Sequence, residues 1–165
     1  MIAADPAREK VERADAVLKE TQEQVIDDPT VFVKGAALGA LTLSELARVA
    51  QSRSQGPMVL TYAQALRRNQ DAFRRELGAV AGRKRLDVPT SLIYQDEQML
   101  AEGKGKPAAE FDAWFALQAN AELLKSIGLF EAAARMKDPE LAALARKSLA
   151  GLEADRKGAI DLYRP

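Results

Sequence analysis

The chain has 165 residues, of which 47% are hydrophobic and 29% charged, so it suits one domain with a substantial core. Its 24 basic and 24 acidic residues balance to a formal net charge of zero, whereas nucleic-acid-binding proteins usually carry a basic excess, so we expect no nucleic-acid partner. Since the chain contains neither Cys nor His, disulfides, structural zinc, iron–sulfur clusters and catalysis by Cys or His are excluded within it.

Proline and glycine pairs divide the sequence into helices. Asp5-Pro6 and Asp28-Pro29 each place an N-cap residue before a proline at the first helical position, which is typical of a helix start. Gly56-Pro57 and Asp138-Pro139 mark two further starts. The predicted helices are 6–26, 29–52, 57–80, 90–101, 108–136 and 139–162, with loops at 82–89 and 103–107. No stretch alternates with a period of two, so we predict no strands.

The long predicted helices carry apolar seams spaced by three and four residues. The seams are Phe32, Ala36, Gly39, Leu43, Leu46 and Ala50; then Val59, Ala63, Leu66, Gln70, Phe73, Leu77 and Val80; then Ala113, Ala116, Asn120, Leu123, Ile127, Phe130 and Ala134; and last Leu141, Ala145, Ser148, Leu152, Asp155, Ala159 and Leu162. This spacing suits antiparallel helices that cross at about 20°. It predicts an all-α, up-down four-helix bundle at 29–165. An extra N-terminal helix within 1–28 and a short helix between the two helix pairs complete the prediction. No apolar run reaches the length that we expect of a membrane span.

Polar residues interrupt three of these seams near the middle of the helices. They are Gln70, Asn120 and Asp155, and Glu45 lies beside the seam of the 29–52 helix. Bundle proteins build metal and cofactor sites at such positions, so one interpretation is a site for a metal ion or a small polar ligand. Another is a hydrogen-bonded polar layer that sets the register of the helices. In a third, Asp155 is only partly buried. Glu45 and Asp155 are weak metal candidates.

Basic residues cluster on the 57–80 helix. Arg67, Arg68, Arg74 and Arg75 recur at an interval of seven residues. One interpretation is a face that binds an anionic partner, such as a lipid head group, a polysaccharide or an acidic protein. The other is a solvated helix face whose charges are balanced by neighbouring acids such as Glu76.

Four segments together carry a family resemblance, at 32–50, 62–77, 111–134 and 137–155. In their order and spacing they resemble the bacterial, mostly exported, ferritin-like proteins of unknown function that are known as predicted outer-membrane proteins. The resemblance covers about residues 30–162 and implies a ferritin-like bundle.

The resemblance also implies a polar site whose ligands have been replaced. Where the family has His this chain has Asn69, Leu123 and Asp155, and where the family has acidic residues it has Leu43, Arg67 and Arg68, whereas Glu45 is kept. We therefore expect no bound metal, no cofactor, and a polar core at the family's site positions. Its members would be Asn69, Gln70, Asn120 and Asp155. Asp155 would accept hydrogen bonds from Asn69 or Gln70, or pair with Arg67 or Arg68.

The expected function is that of a non-catalytic helical-bundle protein of the bacterial envelope, which acts by binding or as a structural or stress-related accessory. The alternatives are a ferritin-like carboxylate metal-binding protein or oxidase, and a binder of anionic membrane surfaces through the basic helix. Its partner would be an envelope protein, a lipid or a polysaccharide, and the chain a monomer or homodimer. MIAADPAREK lacks the apolar segment of a signal peptide. We expect a periplasmic or outer-membrane-associated protein if a signal peptide has been removed, and a cytoplasmic one otherwise.

Overall fold

The described part of the chain is helical between short connections. In the computed structural model it comprises residues 6–13 and 27–163. Residues 6–13 are helical, and five further helices follow: α1 (Pro29–Arg53), α2 (Pro57–Arg83), α3 (Tyr94–Lys104), α4 (Ala108–Ala133) and α5 (Pro139–Tyr163). No strand occurs within these two ranges, which confirms the predicted all-α class. The rest of the predicted helix 6–26 lies outside the described residues.

The four long helices form a bundle in which each helix has two main neighbours. The pairs α1–α2 and α4–α5 pack most extensively, α1 also packs on α4, and α2 packs less extensively on α5. Arg53 at the end of α1 donates to the main-chain oxygen of Lys106, just before α4, so these two helices are antiparallel. Arg83 at the end of α2 pairs with Glu140 at the start of α5, which makes this pair antiparallel too. The connection that contains α3 therefore carries the chain along the length of the bundle.

Two of the predicted aspartate–proline starts are confirmed by their hydrogen bonds. The Asp28 carboxylate accepts from the main-chain N–H of Thr30 at 2.9 Å, and Pro29 is the first residue of α1. The Asp138 carboxylate accepts from the main-chain N–H groups of Glu140 and Leu141, each at 3.1 Å. These contacts satisfy N–H groups that have no partner within the first turn of a helix.

Four predicted boundaries are wrong by three or four residues. The helix predicted at 57–80 ends at Arg83, and the short helix predicted to end at 101 ends at Lys104. The short helix was predicted at 90–101 but begins at Tyr94, where Asp96 and Glu97 in its first turn complement the helix dipole. The long helix was predicted to run to residue 136 but ends at Ala133. Arg146 of α5 donates to the main-chain oxygen of Ala134 at 2.8 Å, and this side chain satisfies a carbonyl beyond the helix end.

The predicted seams are buried on three of the long helices, with only Gly39, Phe73, Ser148, Asp155 and Leu162 partly exposed. The seam of α4 differs, because Ala113 is exposed whereas Phe111, Trp114 and Phe115 are buried. Since α4 contacts α1, α5 and α3, it buries a broader face than one seam can describe.

The helix α1 is long and apolar enough to cross a membrane by length and composition alone, with a mean hydropathy of 1.3 over its most apolar 18 residues. The expectation that no segment reaches this length is therefore wrong for α1. Of that window, 61% is buried inside the protein. A core helix in contact with α2, α3 and α4 needs this composition, because it has neighbours on most sides.

Gly103 is required at the contact between α3 and α4. A Cβ atom added there would lie 2.1 Å from Cη2 of Trp114, a buried ring that has little room to move. We expect Gly103→Ala to lower the free energy of unfolding by about 1–3 kcal/mol, the usual cost of overpacking. Urea denaturation of the two proteins measures the difference.

Gly78→Ala is the matched control, because nothing lies within 4 Å of a Cβ atom at this position in α2. There the substitution should raise the free energy of unfolding by roughly 0.5–1 kcal/mol, since alanine favours the helix over glycine. Equal effects of the two substitutions would contradict the packing of Trp114 on Gly103.

Candidate functional site

Each of the four sides of the bundle is formed by two neighbouring helices. One side has a less extensive helix contact than the other three, and an open groove remains there. It lies between α2 and α5 and has a volume of about 320 Å³. We call it the α2–α5 groove, and it is lined by Asn69, Gln70, Ala72, Phe73, Glu76, Phe130, Lys147, Ser148, Gly151, Leu152 and Asp155. Three of the four predicted polar-core residues therefore lie together in this groove, and Asn120 does not.

Asp155 is half-buried on the α5 side of the groove. The Nδ2 atom of Asn69 donates to its Oδ1 atom at 3.2 Å. Burial raises the pKa of Asp155 to about 6, because the ionised form loses solvation, and the hydrogen bond from Asn69 only partly opposes this. The predicted partner Asn69 is therefore confirmed by the structure, although its side chain lies exposed at the rim rather than in the core.

The predicted arginine partners of Asp155 are not observed. Arg67 instead donates to Oε1 of Gln51 on α1 at 3.0 Å and lies 3.9 Å from the Asp71 carboxylate. Arg68 is exposed. The sequence positions of the arginines suggested that they lie near Asp155. In the structure, the side chain of Arg67 points towards α1 instead.

Gln70 forms the most deeply buried polar part of the groove. Only 4% of the residue is exposed, and its side chain lines the groove. Its amide makes no hydrogen bond to another residue in the described ranges 6–13 and 27–163. Because the side chain lines an open groove, water or a ligand can hydrogen-bond this amide.

Tyr62 closes one end of the α2–α5 contact and was not among the predicted site residues. Its hydroxyl donates to the main-chain oxygen of Asp155 at 2.6 Å. Burial, and then the charge of Asp155, raise the pKa of Tyr62. Gly158 makes room for the ring, since a Cβ atom there would lie 2.7 Å from its Cε2 atom. Tyr62 and Asn69 are seven residues apart and therefore lie on one face of α2. This interval is the sequence pattern from which Tyr62 could have been predicted as a site residue.

An ion pair and a serine complete the groove. Lys147 of α5 donates to Oε1 of Glu76 on α2 at 2.7 Å, so their charges are balanced. The Ser148 hydroxyl donates to the main-chain oxygen of Leu144 at 2.8 Å. Beneath them, Phe73 and Phe130 pack with their ring centroids 5.2 Å apart and supply apolar surface. Asp155 is thus the groove's carboxylate that has no cationic partner among the described residues.

Asn120 belongs to a different contact. Its Oδ1 atom accepts from Nε of Arg156 at 3.2 Å, which links α4 to α5. Arg156 follows Asp155 in sequence, but its side chain is turned towards α4 and away from the groove. Asn120 therefore makes a polar contact between two packed helices. This agrees with the interpretation in which the polar seam residues form hydrogen bonds between helices.

The arginine cluster does not form one continuous face. Arg67 and Arg74 both lie 3.9 Å from the Asp71 carboxylate, which also accepts from Ser44 of α1 at 2.6 Å. Arg68 and Arg75 are exposed and lie about 100° further around the helix. The four predicted residues are thus two pairs in different surroundings.

The two weak metal candidates lie apart. Glu45 of α1 pairs with Arg48 at 2.9 Å, whereas Asp155 lies on α5, which is not a main neighbour of α1. Within residues 6–13 and 27–163, no group of three or more His, Cys, Asp or Glu side chains is placed to hold a metal ion.

Comparison with known families gives one assignment. The model of a domain of unknown function, DUF4142, matches residues 15–162, and the chain therefore belongs to this family. No curated protein and no solved structure is detectably similar to the chain. The family carries no assigned activity, so the function has to be argued from the groove itself.

The raised pKa of Asp155 predicts a pH-dependent effect of Asp155→Asn on stability. Because the pKa is about 6 in the folded protein and its ordinary value is 3.8, the folded protein binds this proton more tightly than the unfolded chain. The cost of the charge is fully present above both values and is lost as the pH falls through about 6 towards 3.8. Asp155→Asn should therefore be more stable than the parent protein at pH 8, and the difference should vanish near pH 4.

Denaturant midpoints at the two pH values measure this, with Glu153→Gln as the control. Glu153 is exposed on the same helix, so its substitution should give no comparable difference at either pH. If Asp155→Asn has the same small effect at both pH values, Asp155 is not desolvated.

Proposed function

We propose that the chain is a non-catalytic binding protein of the bacterial envelope and that the α2–α5 groove takes its ligand. The observation that carries the proposal is the Gln70 amide, which lines the groove and makes no hydrogen bond to another described residue. A ligand that hydrogen-bonds this amide would satisfy a group that the fold leaves open.

The lining of the groove indicates the kind of ligand. The amides of Asn69 and Gln70 and the Asp155 carboxylate offer both donors and acceptors, and Phe73 and Phe130 offer apolar surface. Hydroxyl and acetamido groups on a ring with apolar C–H faces match both parts of such a surface. We infer that the ligand is a sugar unit, either free or at the end of an envelope polysaccharide.

A binding role suits the chemistry better than catalysis does. The chain contains no Cys and no His, and the Glu76 carboxylate is held by Lys147. Asp155 is left as the one titratable group of the groove that has no charged partner among the described residues. One carboxyl group without a second acid, base or nucleophile beside it offers little for a reaction.

The family resemblance supports the proposal in a further way. We propose that the fold is ferritin-like, which is supported by two antiparallel helix pairs joined by one long crossover. In this proposal Asn69 and Asp155 occupy positions that hold His in related proteins, so a polar site has been kept while its metal ligands were replaced.

The proposed location in the envelope rests on the resemblance to a family of mostly exported proteins. Fractionation of the source cells tests it. Recovery of the protein with cytosolic markers would contradict this part of the proposal.

Binding in the groove is tested by nuclear magnetic resonance of ¹⁵N-labelled protein. The probes are N-acetylglucosamine and its β-linked oligomers, titrated to tens of millimolar. We expect the side-chain NH₂ signals of Asn69 and Gln70 to shift progressively, because both amides line the groove. The signal of Asn120, which lies outside the groove, should stay in place.

Gly151→Leu provides the blocking variant. Gly151 lines the groove, and nothing lies within 4 Å of a Cβ atom there, so a larger side chain can enter the groove without disturbing the core. The shifts should disappear in this variant and persist in Gly78→Leu, whose substituted position is equally open but outside the groove. Shifts that survive Gly151→Leu, or no shifts of Asn69 and Gln70 at all, would overturn the proposal.

A further inference from the structure

A second cavity lies on the opposite side of the bundle, where α1 packs on α4. It has a volume of about 290 Å³. Glycines shape its α1 wall, because a Cβ atom at Gly35 would lie 2.9 Å from Cδ2 of Leu129, and one at Gly39 would lie 3.0 Å from Oγ of Ser126. We call this cavity the α1–α4 cleft and define it by Gly35, Gly39 and Thr42 of α1, Asp96 of α3, and Glu122 and Ser126 of α4.

The walls of the cleft are mostly apolar. Val31 and Leu38 of α1 and Leu129 of α4 face the cavity, and Val31 remains 51% exposed at its edge. A side chain of this kind keeps apolar surface in contact with water, and an apolar ligand would remove that surface from water. The cleft therefore favours a ligand with an apolar portion.

Two carboxylates stand in the same cavity. Asp96 accepts from the hydroxyl of Thr42, a fully buried residue, at 3.0 Å. Glu122 makes no hydrogen bond and no ion pair with another described residue. Burial raises the pKa of Glu122, Lys125 partly opposes this, and the charge of Asp96 adds to it, so the two carboxylates act on each other.

Lys125 does not neutralise the pair. It lies one turn from Glu122 and lines the cleft, but its ammonium group makes no ion pair within 4.0 Å in the described part of the chain. With one cation and two carboxylates, the lining carries a net negative charge when all three groups are ionised. A fatty acid or another anionic amphiphile would add to this charge and is disfavoured.

The Ser126 hydroxyl is a polar group of the cleft that has no partner within the described residues. Ser126 is 9% exposed and lines the cavity, and its hydroxyl has no hydrogen-bond partner among the described residues. Ser148 shows the usual alternative for a helical serine, since its hydroxyl donates to the carbonyl of Leu144 one turn earlier. Ser126 makes no such bond, and its oxygen is available to a ligand.

We propose that the α1–α4 cleft binds a primary amine that carries an apolar chain. The chain lies against Val31, Leu38 and Leu129, and the ammonium group is held by Asp96, Glu122 and Ser126. A primary ammonium group has three N–H donors, and these three side chains supply three acceptors. Glu122 and Ser126 are four residues apart on one helix and therefore face the ligand from the same side. This proposal does not depend on the function proposed for the α2–α5 groove.

The test is isothermal titration calorimetry of the whole chain at pH 7.5 with n-hexylamine as the probe. The comparison compounds share its chain and differ in the polar group: n-hexanol, n-hexanoate and hexyltrimethylammonium. We expect n-hexylamine to bind most tightly, because n-hexanol lacks the charge, n-hexanoate reverses it and the trimethylated cation has no N–H donors.

Glu122→Gln should weaken binding of n-hexylamine at least roughly tenfold, the factor that corresponds to losing one charge-assisted hydrogen bond. The variant should fold, because burial already disfavours the ionised form of Glu122, and its thermal midpoint should equal or exceed that of the parent. Glu110→Gln is the control, since Glu110 is exposed in the first turn of the same helix, and it should leave binding unchanged.

Equal binding of n-hexanol and n-hexylamine would overturn the proposal, because the cleft would then be an apolar slot without preference for an amine. Absence of binding for all four compounds would overturn it as well. If Glu110→Gln weakens binding as much as Glu122→Gln does, the effect is one of overall charge and the assigned site is wrong.

Discussion

The close packing of α1 against both α2 and α4 sets the geometry of the rest of the bundle. The buried face of α1 is rich in alanine, including Ala36, Ala37, Ala40, Ala47 and Ala50, and these small side chains allow the helix axes to approach closely. The tightly packed pairs α1–α2 and α4–α5 meet where α1 packs on α4. The opposite side, between α2 and α5, is consequently the one that closes least, and there the groove remains open.

The α2–α5 side is held at its two ends and open between them. At one end the Tyr62 hydroxyl donates to the main-chain oxygen of Asp155, and its ring lies against Gly158. At the other end Arg83 pairs with Glu140, and Lys84 lies 2.9 Å from the carboxylate of Asp138.

This arrangement explains why polar groups persist where α2 and α5 face each other. If the helices met along their whole length, the amide of Gln70 and the carboxylate of Asp155 would lose access to water without gaining partners, which costs several kcal/mol for an ionised group. The groove leaves Asp155 partly exposed, and although only 4% of Gln70 is exposed, its side chain lines the groove. The same separation keeps Asp155 away from Arg67 and Arg68, so its charge stays unpaired and its pKa stays high.

The sequence predicted those features that depend on local patterns. Helix class, the starts at Pro29 and Pro139, and the buried seams of α1 and α2 follow from capping residues and periodicity, which act within a few residues of the chain. The proximity of Asn69 and Asp155 was predicted from seam positions and family resemblance. The start of α3 at Tyr94 and the exposure of Ala113 depend on how α4 meets three other helices, and periodicity carries no information about that contact.

The site residues that were missed depend on tertiary contacts. Tyr62 joins the site because Gly158, 96 positions later in the chain, leaves room for its ring. Glu122 and Asp96 meet in the α1–α4 cleft because the crossover places the start of α3 beside α4. The residues of each pair, Tyr62 with Gly158 and Asp96 with Glu122, lie on different helices. Helical periodicity and family motifs therefore do not predict that they meet.

The two cavities lie on opposite sides of the bundle and have different linings. The α2–α5 groove offers amides, one unpaired carboxyl group and aromatic rings, whereas the α1–α4 cleft offers two carboxylates, a hydroxyl and aliphatic walls. A protein without Cys, without His and with zero net charge thus has two cavities whose linings differ in polar groups and in charge. The lining of each includes one polar side chain, Gln70 or Ser126, that makes no hydrogen bond to another described residue.

The carboxyl group of Asp155 has no cationic partner among the described residues and lies in a partly desolvated groove between α2 and α5. The most direct test is a pH titration of its side-chain carboxyl carbon, followed by ¹³C nuclear magnetic resonance. We expect Asp155 to titrate with a pKa of about 6. A pKa at or below the ordinary value of 3.8 would contradict it, because the carboxyl group would then be fully solvated or paired with a cation.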